Sequence, residues 1–122
     1  MQSSADVFAD FINWLLSLDF FSEDDLAEIL EEFDGVKGVI KSGLYISAYE
    51  EVARYMACDN SLEDAVLFLG ANCKRLEQLP GEQYYFFESL VDAYSASGAD
   101  VLPLINASSE RYRGFLMQRF VR

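Results

Sequence analysis

Apolar residues recur at three- and four-residue intervals along most of the chain, the pattern of amphipathic helices. Val7, Phe8, Phe11, Ile12, Leu15, Leu16 and Leu18 predict a first helix near residues 5–18, capped by Ser3 or Ser4. These positions nearly encircle the helix, which puts it in the core with Trp14 at the edge of the stripe. Leu26, Ile29, Leu30 and Phe33 predict a second helix over 23–33, opened by Ser22 and Asp25 as a capping box and closed by Gly35. Ser47 and Glu50 form an S-x-x-E pattern that predicts a helix near 48–58, with Val52, Tyr55 and Met56 inward and Tyr49 nearby. Ser61 with Asp64 opens a helix over about 62–79, faced by Leu62, Ala65, Val66, Leu69, Cys73, Leu76 and Leu79.

Pro80-Gly81 marks a turn, and a helix over 82–96 follows, ended by Gly98. Pro103 suits the first turn of a short helix or a loop. Ser108 or Ser109 caps a last helix over about 109–121, with Tyr112, Phe115, Leu116 and Phe120 inward. One segment breaks the rhythm. "GVKGVIKSGLYI", Gly35 to Ile46, carries three glycines among β-branched residues and predicts an irregular loop or a short hairpin in preference to a short helix. The expectation is an all-α, compact bundle of five to six helices forming one domain over residues 1–122, with no period that fits a solenoid.

Charge changes the picture most. The formal net charge is −12 over 122 residues, yet 15% of residues are aromatic, too many for a disordered acidic tail. Residues 1–34 hold ten acids and no base; residues 101–122 hold one acid and four arginines, Arg111, Arg113, Arg119 and Arg122. An acidic pole of this kind repels nucleic acid and anionic membranes and attracts a basic protein surface.

Catalytic chemistry finds little support. With no histidine, Ser-His, Cys-His and His-ligated metal sites are excluded. "GVKGVIKSG" has the glycines and lysines of a phosphate loop but not the spacing, and "DFFSEDD" lacks the D-x-D-x-D-G pattern of a calcium loop. Cys58 and Cys73 read as two reduced, half-buried thiols. No cofactor, no metal site and no enzymatic activity are expected. The N-terminus lacks a basic region followed by an apolar one, and no apolar run is long enough to span a bilayer, so a soluble cytoplasmic protein without a membrane partner is expected.

Two stretches are candidate binding surfaces. "DFFSEDDLAEILEEFDG", Asp19 to Gly35, carries eight carboxylates and no base. On a helix of about 100° per residue, Asp24, Asp25, Glu28, Glu31 and Glu32 oppose the Leu26/Ile29/Leu30/Phe33 stripe, with Asp34 at its flank. The dipole favours acids in the first turn. In a continuous helix it disfavours Glu31, Glu32 and Asp34 in the last turn, and Asp24/Glu28 and Glu28/Glu32 are like-charge neighbours. The bland reading is a solvated face; the uncompensated charge favours a docking face. In "GEQYYFFES", four consecutive aromatics cannot all point inward, so Tyr84 or Tyr85 is expected to be at least partly exposed as an anchor.

"FSEDDLAEILEEF" together with "QYYFF" resembles the acidic helix and Tyr-Tyr pair of bacterial toxin-immunity proteins, of the colicin-nuclease or contact-dependent-inhibition type. The resemblance implies an inhibitor that neutralises a basic toxin nuclease by covering its nucleic-acid groove. Under it, Asp24, Asp25, Glu28, Glu31, Glu32 and Asp34 steer and pair with Lys and Arg while an exposed Tyr84 or Tyr85 anchors. The alternatives are a nucleic-acid mimic acting on a restriction or CRISPR nuclease, and a helical adaptor or secretion chaperone.

Overall fold

The computed structural model describes residues 3–18, 21–78 and 85–121. Among them the regular structure is entirely helical: α1 (Ser4–Ser17), α2 (Glu23–Ile29), a 3-10 turn (Glu31–Phe33), α3 (Gly35–Ser42), α4 (Tyr45–Asp59), α5 (Leu62–Leu76), α6 (Tyr85–Ala96), α7 (Leu102–Ala107) and α8 (Arg113–Phe120). The all-α class agrees with the sequence, but eight α-helices replace the expected five to six.

Three predicted starts hold because their caps are local. The Ser3 hydroxyl accepts from the Asp6 amide, Ser61 accepts from Asp64, and Ser22 and Asp25 close a reciprocal box. Three other expectations are corrected. The 35–46 segment is neither loop nor hairpin: Val36, Val39 and Ile40 line the inner side of α3, and Lys37 and Lys41 stand in solvent. Gly38 permits this, because a Cβ there would fall on the Phe33 carbonyl oxygen.

The Ser47/Glu50 box is not used. Gly43 at φ 73° turns the chain within a two-residue link, so α4 starts at Tyr45 and Ser47 lies inside it. Neither Ser108 nor Ser109 caps the last helix, which begins at Arg113. Ser108 ends α7 and donates to the Ile105 carbonyl at 2.6 Å; Ser109 donates to Glu77. Within α8 only Leu116 is fully buried, and Phe115, expected inward, is 44% exposed.

The core is one cluster to which every helix contributes, with the most extensive packing between α4 and α6. Phe86 sits at its aromatic centre, edge-on to Phe11 at 5.4 Å and to Tyr49 at 6.0 Å. Burial pushes the Tyr49 hydroxyl far above its usual range, with Tyr45 adding to the shift. The stripe of the acidic segment is buried at Ile29 and Leu30 and half-buried at Leu26 and Phe33. That seats α2 and the 3-10 turn on the bundle and turns their acids outward.

Candidate protein-binding surface

The acidic segment is not one continuous helix. α2 stops at Ile29, Leu30 caps it, and Asp34 adopts a left-handed conformation (φ 63°) directly ahead of α3. Glu28 and Glu32 are therefore not successive turns of one helix. Asp34 precedes a helix N-terminus, where negative charge is favoured. Part of the penalty expected for these acids is removed.

The six carboxylates divide by role. Asp25 is half-buried and committed to the fold: its Oδ2 accepts from the Ser22 amide at 3.0 Å, and its own amide donates to the Ser22 hydroxyl at 3.2 Å. The Ser22 backbone bond is the main reason its carboxyl titrates below the usual 3.8, with the Ser22 and Tyr55 hydroxyls helping. Asp24, Glu28, Glu31, Glu32 and Asp34 are exposed, and among the described residues none has a salt-bridge partner.

Glu28, Glu31 and Glu32 converge, with Ile29, on a groove of about 510 Å³ whose other wall is Glu51 and Arg54 of α4. A smaller recess of about 260 Å³ adjoins it, where Tyr55 and Cys58 join Glu28, Ile29, Glu51 and Arg54. Arg54 Nη1 holds Glu51 Oε1 at 2.8 Å, with the arginine 64% and the glutamate 27% exposed. Four carboxylates thus face one guanidinium, so the groove carries three negative charges in excess. Beside it, the Tyr55 hydroxyl is raised well above its usual range, chiefly by Asp59, then by burial and by Asp25.

Asp24, Asp34 and Tyr85 do not line this groove. Tyr85 is half-buried against the core and so partly exposed, and Tyr84 lies outside the described residues. Phe86 and Phe87 are buried. Glu51, Arg54, Tyr55 and Cys58 were not legible as site residues. Their i, i+3, i+4, i+7 spacing marks one face of α4, but only the packing of α2 on α4 gives that face its acidic neighbour. Neither cysteine is disulfide-bonded; Cys58 is exposed and Cys73 half-buried.

Among the described residues no group of three or more His, Cys, Asp or Glu side chains is arranged to hold a metal, and no helix is long and apolar enough to cross a membrane. No protein-family description, curated protein or solved structure matches this chain.

Proposed function

We propose that this protein is an acidic inhibitor of the immunity type, which captures a basic toxin nuclease in the cytoplasm and covers its nucleic-acid groove. The observation that carries the reading is the convergence of Glu28, Glu31, Glu32 and Glu51 on one groove with a single arginine between them. A partner's Lys and Arg side chains fit that imbalance. Long-range attraction from a chain of net charge −12 speeds encounter with a cationic surface. Arg54 is the local competitor: a partner's guanidinium can replace it on Glu51.

The test is binding to basic nuclease toxin domains, with cleavage of duplex DNA as the functional readout. Association should slow at least about tenfold between roughly 0.05 M and 0.5 M salt, as steered encounters do. The triple variant Glu28→Lys, Glu31→Lys, Glu32→Lys should lose both capture and protection. Capture that ignores this reversal would sink the assignment of the groove.

A further inference from the structure

A second recess, of about 850 Å³, shares no lining residue with the acidic groove. Its volume is in the range of about 300–1,000 Å³ in which proteins hold small ligands. Trp14 of α1, the last turns of α5 and α7, and the start of α8 surround it. Three of the nine basic residues of the chain line it, Lys74, Arg75 and Arg113, against two acids, Glu77 and Glu110. Glu77 is already occupied within the protein, accepting from the Ser109 hydroxyl and from the Cys73 thiol at 3.8 Å. The recess therefore has a positive balance in a chain that is otherwise strongly negative.

Arg113 gives the recess its chemistry. One terminal nitrogen, Nη2, donates to the Asn106 carbonyl at 3.0 Å, which fixes the guanidinium plane. Its Nε is buried and meets no acceptor among the described residues. Nε is closed off from the recess, so an anion there meets the terminal nitrogens, whose N–H groups can hold an oxygen-rich anion through parallel bonds. Lys74 is exposed in the last turn of α5 and lines the recess, where its ammonium can reach an anion. The Arg75 guanidinium rests 4.6 Å from the centre of the Trp14 ring.

We infer that this recess binds a small oxyanion, a phosphate or a carboxylate, through Arg113, Lys74 and Arg75. The site is independent of the acidic groove and of any protein partner bound there. Trp14 is the only tryptophan in the chain, so an anion that draws Arg75 away changes the signal of a single fluorophore.

The experiment titrates the whole protein with inorganic phosphate and, separately, with succinate, chloride holding ionic strength constant. Trp14 fluorescence and the amide resonances of residues 70–77 and 106–113 are followed together. Saturation with a dissociation constant on the order of 1 mM or tighter is expected in at least one arm. The arm that saturates names the anion. Arg113→Met should weaken binding roughly tenfold and Lys74→Met roughly threefold. If Arg113→Met does not fold by circular dichroism, the exposed Lys74→Met decides alone. Linear drift indistinguishable from chloride in both arms, or saturation that Lys74→Met leaves unchanged, overturns the site.

Discussion

Tyr94 joins two parts of the bundle through one hydroxyl. The oxygen lies 3.3 Å from the Met56 carbonyl, 3.0 Å from that of Asn60 and 3.2 Å from that of Ser61, so α6 is tied to the turn between α4 and α5. One proton serves three acceptors, and Tyr94→Phe removes it while leaving the ring in place. The variant should lose about 1–2 kcal/mol in urea denaturation. The same residue sets an alkaline limit. Burial, aided by Asp64, pushes its hydroxyl up from 10.0 to about 12. Between those values the unfolded chain releases the proton and the folded one keeps it. The contribution is whole below pH 10 and fades as pH rises towards 12. Tyr94→Phe should therefore flatten part of the fall in stability over that interval. The rest should persist, because Tyr49 is raised in the same direction.

At the scale of elements, α3 shows where sequence reading and structure part. Glycine-rich, β-branched and short, its segment has poor helix propensity, and what decides is a contact invisible in sequence. The chain of Gly38 runs against the Phe33 carbonyl so closely that no side chain fits. Replacing a helical glycine with alanine ordinarily stabilises by about 0.5–1 kcal/mol. Gly70 in α5, with open space around it, should follow that rule, whereas Gly38→Ala should destabilise by about 1–3 kcal/mol as an overpacked site. Opposite signs in paired thermal melts check the assignment; a stabilising Gly38→Ala would contradict the packing. The same contrast explains what could be read beforehand. Ser3, Ser22 and Ser61 are true caps because capping needs only three neighbouring residues. Ser47 and Ser109 carry the same kind of signal, but Gly43 and Glu77 redirect them. Likewise Glu28, Glu31 and Glu32 were legible from a helical wheel. Glu51 and Arg54, some twenty residues on, enter the groove only through tertiary packing.

For the whole molecule, the proposed capture of a basic partner and the stability of the fold pull the charge in opposite directions. A net charge of −12 raises capture rates for a cationic partner and at the same time repels itself in the folded state. Around the groove, Glu28, Glu31, Glu32 and Glu51 share one arginine, and among the described residues only Glu51 is paired. Folded stability should consequently rise as salt increases from about 0.01 M to 0.15 M, because screening weakens repulsion between exposed charges. The Glu28→Lys, Glu31→Lys, Glu32→Lys variant, which reduces the magnitude of the net charge of −12 by six units, should gain stability at low salt because the long-range self-repulsion of the folded chain falls. The gain should shrink at 1 M salt. Melting curves at low and high salt, set beside association rates for the same variant, measure both sides. A variant that loses capture because it misfolds would melt earlier. One that loses capture because the groove no longer attracts cations would melt later, and that outcome separates an acidic face kept for binding from one that is merely solvated.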